Sequence, residues 1–143
     1  MMKSKEEVIY RDTKNFTEEQ LRGLYSSVNW LSANYADRLV KAMKNSSVVL
    51  SAWHGEELIG LVNALDDGEM TAYVHYLLVH PDFQGKGVGK KLLEQIKTIY
   101  SKYLYLVLIS EEKKNNAFYE KLGFDGKTSS TPMFIVNTSM ETI

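Results

Sequence analysis

The chain has 143 residues, 44% of them hydrophobic and 24% charged, with a formal net charge of -1 and no cysteine. That length and composition suit one globular domain, 1–143, able to bury one core, and are too rich in aromatic and branched aliphatic residues for a disordered chain. The charge balance lacks the overall basic excess of a duplex-DNA binder, so no nucleic-acid partner is expected, and without cysteine there are no disulfides, thiolate metal sites or cysteine nucleophile.

The segment Met1 to Glu7 is charged, unlike a secretory signal, and the longest apolar run, Leu104 to Ile109, is too short to span a bilayer. The expectation is a soluble, cytoplasmic protein with no membrane partner and no metal. No internal repeat or low-complexity stretch interrupts the chain.

Val8 to Tyr10 reads as a short strand. Thr17 with Gln20 three residues on forms a capping box, and Leu21, Leu24, Tyr25 and Val28 follow at helical spacing. A second helix covers roughly Asp37 to Lys44. Val48 to Trp53 and Leu58 to Leu65 are strands joined by His54-Gly55-Glu56, and a third, Thr71 to Val79, follows the turn at Asp66-Asp67-Gly68. Past the glycines, Val88, Leu92, Leu93, Ile96, Ile99 and Tyr100 mark one face of a helix. Tyr103 to Ile109 reads as a buried strand, so strand, helix and strand imply a right-handed crossover with parallel strands. Ser110 is placed to cap a further helix that runs through Lys121 and ends at Gly123, and Met133 to Val136 offers a last strand. The fold class is α/β with a mixed central sheet, antiparallel first and parallel in the middle.

The most informative stretch is Val79-His80-Pro81-Asp82-Phe83-Gln84-Gly85-Lys86-Gly87-Val88-Gly89-Lys90, between a strand and an amphipathic helix. Glycines allow positive φ and close backbone approach, and the amides at a helix start favour an anion such as a diphosphate. A P-loop requires glycine where Gln84 stands and serine or threonine where Lys91 stands; a dinucleotide fingerprint requires glycine at Lys90. What is met is Gln/Arg-x-x-Gly-x-Gly/Ala, by Gln84, Gly87 and Gly89.

This segment resembles the acetyl-CoA pyrophosphate loop of the GNAT superfamily of N-acetyltransferases. A second signature of that family lies at Ala117-Phe118-Tyr119-Glu120-Lys121-Leu122-Gly123-Phe124, in the family's order and separation. The resemblance implies a GNAT fold with splayed central strands, acetyl-CoA as co-substrate, and transfer of acetyl to an amine. It implies that backbone amides of Gln84, Gly85, Lys86, Gly87, Val88, Gly89 and Lys90 bind the pyrophosphate. Leu77, Leu78 and Val79 would pair with the pantetheine arm like an added strand. Tyr119 matches the tyrosine that protonates the departing thiolate in many relatives. The chain departs from the family at Glu112 and Asn115, where relatives often carry asparagine and alanine; Asn115 or Asn116 remains a candidate for contacting the coenzyme.

Direct attack on a thioester requires a base, a donor to the acyl oxygen and an acid for the thiolate. Without cysteine, transfer within a ternary complex is the fitting scheme. His75, nine residues before Gln84, is the candidate base; its position matches a histidine of the arylalkylamine N-acetyltransferases, and an unperturbed imidazole titrates near pH 6.5. A backbone amide near Val79 is the candidate oxyanion donor. Strand alternation puts Tyr73, His75 and Leu77 on one face, unless a bulge near Leu77 changes the phase. Trp30, Tyr35 and Tyr73 are candidates for the acceptor pocket, with Tyr76 reaching it from the other face. Plainer readings stand beside these: Tyr119 as a core aromatic, His75 as a sheet histidine, Trp30 and Tyr35 as packing over the core edge. A small-molecule amine is the favoured acceptor; a protein amino group, or a non-catalytic acyl-CoA sensor, is the alternative. A homodimer paired through a terminal strand is left open.

Overall fold

Five strands lie side by side in chain order in the computed structural model, which describes residues 7–126 and 129–137. They are β1 (Val8–Arg11), β2 (Val48–His54), β3 (Glu57–Asp66), β4 (Thr71–Val79) and β5 (Tyr105–Leu108). β1 to β4 pair antiparallel, whereas β5 joins β4 in parallel. A parallel neighbour requires a crossover, supplied here by helix α3 (Val88–Ile99). The antiparallel connections are tight: His54 pairs with Glu57 around Gly55-Glu56, and Gly55 takes a φ of 61°.

Helix α1 (Glu18–Ser27) begins as its sequence dictates. The Thr17 hydroxyl accepts from the Gln20 N–H at 3.1 Å, and the Gln20 side chain accepts from the Thr17 N–H at 2.9 Å. Its apolar stripe, Leu21, Leu24 and Tyr25, is buried with Leu39 and Met43 of α2 (Ala36–Asn45) against Val49, Trp53, Leu61 and Leu78 of the sheet. α3 buries Val88, Leu92, Leu93 and Ile96 on the opposite face. The two faces are told apart at neighbouring residues of β3: Leu61 joins the α1 side, while a Cβ on Gly60 would lie 3.0 Å from Val88 Cγ1 and 3.2 Å from Ala52 Cβ. Burial of such stripes contributes about 1.5–3 kcal/mol per large apolar side chain. No helix among the described residues is long and apolar enough to cross a membrane.

The chain divides into two compact units, Met1–Leu108 and Ile109–Ile143. The first holds the whole sheet and α1 to α3. In the second, a 3-10 turn (Lys113–Asn115) leads into α4 (Asn116–Lys121). This helix ends in a Schellman arrangement: Phe124 N–H donates to the Tyr119 carbonyl at 3.1 Å and Gly123 N–H to Glu120 at 3.0 Å, with Gly123 at φ 96°.

Three expectations are corrected here. Ser110 does not cap the last helix; its hydroxyl bonds the Asn116 side chain at 2.7 Å, and the helix starts at Asn116 instead. The strand expected over Tyr103 to Ile109 is shorter, and among the described residues it pairs with β4 alone: Tyr105 and Val107 are exposed, so a continuous apolar run does not mean burial on both faces. Met133 to Val136 forms no strand and is exposed, so an apolar run of β-formers is not by itself enough to make one.

Candidate active site

The site is built on the far half of β4. From Thr71 to Val74 this strand is paired on both sides, with β3 and with β5. The β5 ladder ends at the pair Val74–Leu108, and among the described residues no strand flanks Tyr76 to Val79 on that side. Pairing with β3 continues through Leu77–Val62, Leu78–Leu61 and Val79–Gly60. Leu78 is buried in the α1-side core, so of the three expected pantetheine contacts it has only backbone to offer.

A β-bulge sits where the two halves meet. Ala64 pairs with Val74 and Asn63 with Tyr76, leaving His75 as the extra residue. The bulge changes the phase of the strand. Residues opposite one another in a sheet share a face, so Tyr73, opposite Leu65, and Tyr76, opposite Asn63, point the same way. Tyr73 and His75 stay together as expected, whereas the inclusion of Leu77 with them and the placing of Tyr73 and Tyr76 on opposite faces are corrected. The break comes two residues before Leu77, and Leu77 lies with Val62 toward the α3 side.

The result is a file of rings. Tyr73 and His75 stack at 5.5 Å between centroids and His75 and Tyr76 at 4.1 Å. Tyr76 also meets Tyr25 edge-on at 5.1 Å and Trp30 at 5.9 Å. Its hydroxyl is 2.7 Å from that of Ser32, in the 3-10 turn Leu31–Tyr35 between α1 and α2. Trp30 and Tyr35, both half-buried, flank Ser32, so Trp30 and Tyr73 are joined to one aromatic group through Tyr76 and His75. The Tyr25 hydroxyl is fully buried, has no hydrogen-bond partner among the described residues, and is held well above its ordinary pKa by burial and by the neighbouring Tyr76.

After β4 the chain makes a 3-10 turn (Pro81–Phe83) and enters the glycine loop. Phe83 is fully buried beneath it, with Lys86 Nζ 5.6 Å from its ring centroid. The Gln84 carboxamide donates to the Val79 carbonyl at 2.8 Å, so this side chain braces the loop against the end of β4. Gly85 and Gly87 take φ of 77° and 85°, and the space a Cβ would enter at each is open. Gly87 is the N-cap of α3 and brings no side-chain acceptor to the first amides of the helix. Val88 turns its side chain into the core, Gly89 is half-buried and Lys90 is exposed. An open cradle of uncapped amides at a positive helix end fits a diphosphate. By contrast, two surface cavities of about 220 and 670 Å³ near α1 share Glu19 and Glu56 in their walls, a poor setting for an anion.

In the second unit, Tyr119 lies on α4 between the rings of Phe118 (5.2 Å) and Phe124 (6.2 Å), and burial raises its pKa above the ordinary tyrosine value. Asn115 is exposed and makes no side-chain cap to α4. The residues that sequence reasoning missed are Ser32, whose partner is 44 positions away, and Tyr25, whose buried hydroxyl has no signature beyond helical spacing.

A sheet that opens at one strand beside an uncapped glycine helix start defines an α/β protein able to hold an extended anionic ligand along a strand edge. Comparison with known proteins is more specific: residues 10–124 match the acetyltransferase (GNAT) family, and the chain belongs to that family. The uncharacterized N-acetyltransferase ycf52 of Porphyra purpurea is 31% identical over 123 residues, 82% of this chain and 70% of its own. A histone acetyltransferase of Glycine max is 30% identical over 132 residues, 84% of this chain and 57% of its own. A GNAT-family acetyltransferase structure from Streptococcus pneumoniae superposes with a TM-score of 0.78 at 25% identity, covering 92% of this chain and 98% of that one. The mixed sheet flanked by helices is thus the GNAT fold, and the protein is an acetyltransferase by family.

Proposed function

We propose that the protein transfers acetyl from acetyl-CoA to the primary amine of a small molecule, by direct attack within a ternary complex. The observation that carries this reading is the end of the β4–β5 ladder at Val74–Leu108, beside the uncapped glycine start of α3. The family match runs through both compact units, which supports reading them as one domain.

Acetyl-CoA, when bound, supplies the activated acyl group. The amides from Gly85 to Lys90 hold its diphosphate, and the backbone of Leu77 to Val79 orients its arm as an added strand would lie. A backbone N–H near Val79 polarises the acyl oxygen. His75 takes the proton from the attacking ammonium, directly or through water, because a protonated amine has no lone pair to attack with. Tyr119 gives its proton to the leaving sulfur; a tyrosine is already protonated at neutral pH, and burial raises the pKa of this one further. Trp30, Tyr35 and Tyr73 wall the acceptor.

The kinship with a histone acetyltransferase favours a second reading, in which a protein amino group is the acceptor. A turnover screen with acetyl-CoA separates the two, set against small amines, polyamines, amino acids and histone-type peptides. His75→Ala is expected to lower kcat roughly 100-fold and to flatten the fall in rate toward acid pH. Tyr119→Phe is expected to lower kcat with little change in KM. If both variants keep full kcat, the assigned base and acid roles are wrong.

A further inference from the structure

We infer that Tyr76 is a positioning residue that fixes the His75 imidazole at the opened edge of β4, and that Ser32 anchors it there. The inference rests on the reading of His75 as the base.

Consecutive residues of a regular strand point to opposite faces, so adjacent rings cannot stack. His75 and Tyr76 stack at 4.1 Å with 24° between their planes because the bulge makes His75 the extra residue. A bulge re-aims a side chain, but it also removes that residue from the regular ladder, which would otherwise help to fix its direction. His75 is exposed, so core packing does not hold it either. The neighbouring ring is held on several sides. The Tyr76 hydroxyl bonds Ser32 at 2.7 Å, its ring meets Tyr25 and Trp30, and its N–H donates to the buried Asn63 side chain at 2.9 Å. Asn63 is fixed in turn by donating to the Ser46 hydroxyl at 3.0 Å. A ring held in this way limits the directions of the imidazole stacked on it, alongside the Tyr73 ring at 5.5 Å. Misplacement of a reacting group by about 1 Å costs on the order of 100-fold in rate.

The chain from Ser32 to Tyr76 to His75 also links the turn between α1 and α2 to the base. Displacement of Leu31–Tyr35 would therefore be felt at the imidazole.

The test is a double-mutant cycle on kcat with saturating acetyl-CoA and the best amine from the screen. Tyr76→Leu removes the stack; Tyr76→Phe and Ser32→Ala each remove only the hydroxyl link and leave the fold least disturbed. The expected result is a drop in kcat of roughly 10-fold for Tyr76→Leu, a smaller drop shared by Tyr76→Phe and Ser32→Ala, and an unchanged KM for acetyl-CoA. In a His75→Ala background, Tyr76→Leu should cost nothing further, since residues acting as one unit are not additive. In the free protein, the imidazole proton resonances of His75 should lie upfield under the Tyr76 ring and move toward ordinary values in Tyr76→Leu. Full multiplicative losses in the double variant, or unshifted His75 resonances, would overturn the positioning role while leaving the base intact. Full kcat in His75→Ala alone would overturn the base reading and this inference with it. If Tyr76→Leu fails to fold, the Ser32→Ala and Tyr76→Phe cycles with His75→Ala decide by the same criterion.

Discussion

The two halves of β4 share one strand and one partner, β3, yet they differ in what they leave open. Thr71 to Val74 is enclosed by β3 and β5, and Ala72 and Val74 are buried. Beyond the bulge, Tyr76 to Val79 keeps the β3 ladder while β5 is no longer paired alongside. The difference shows that a single inserted residue can mark the place where two-sided pairing gives way to one-sided pairing. Under the proposed function, backbone groups that would be costly if buried without partners are the surface along which an extended ligand would lie.

The sharpest way to break this comparison is at the loop that continues the open half. Gly87→Asp puts a carboxylate where the amides await an anion and asks a non-glycine residue to take φ 85°. Coenzyme A affinity by calorimetry should fall by roughly 100-fold, the loss of one or two charge-assisted hydrogen bonds. Left-handed strain should cost about 1–2 kcal/mol of stability. A folded variant that binds coenzyme A as before removes the loop from the site.

A second substitution tests whether the paired sheet supports that loop. Gly60 lies against Val88, the first residue of α3. Gly60→Val should overpack this contact at a cost of about 1–3 kcal/mol, seen as a lower melting temperature, and should weaken coenzyme A binding as the helix start moves. Destabilisation without any change in binding would show that the loop is held independently, for instance through Gln84.

The smallest effect belongs to the enclosed half. Asp66 ends β3 and accepts from the Tyr100 hydroxyl at 2.6 Å, a bond that lowers its pKa, helped by the Gly68 N–H. A carboxylate held below its unfolded value contributes stability that is present above about pH 3.9 and is lost as pH falls through the lower folded value. Asp66→Asn should therefore cost up to about 1 kcal/mol at pH 7, a figure discounted for solvent screening. Denaturant melts should show the gap from wild type closing below pH 4, and kcat should not change.

Much of this division could be read in the sequence, and the unread part has a common cause. The capping box at Thr17 and Gln20, the hairpin at Gly55, the extent of β4 and the glycine loop were legible because each is settled by residues within a few positions of one another. The bulge was anticipated near Leu77 but falls at His75, since it depends on register against Asn63 and Ala64. Ser110 misled for a similar reason: its hydroxyl found the Asn116 side chain before it could cap a helix.

Local chemistry by itself determined that this chain makes strands, then a glycine-led helix, with amides suited to a phosphate. The open edge at the end of β4 was expected only through the family resemblance, and nothing local said that His75 and Tyr76 stack while Ser32 holds the second ring. Those are decided by pairing across the sheet and by contacts between segments more than 40 residues apart, whose energies exist only once the chain has closed on itself.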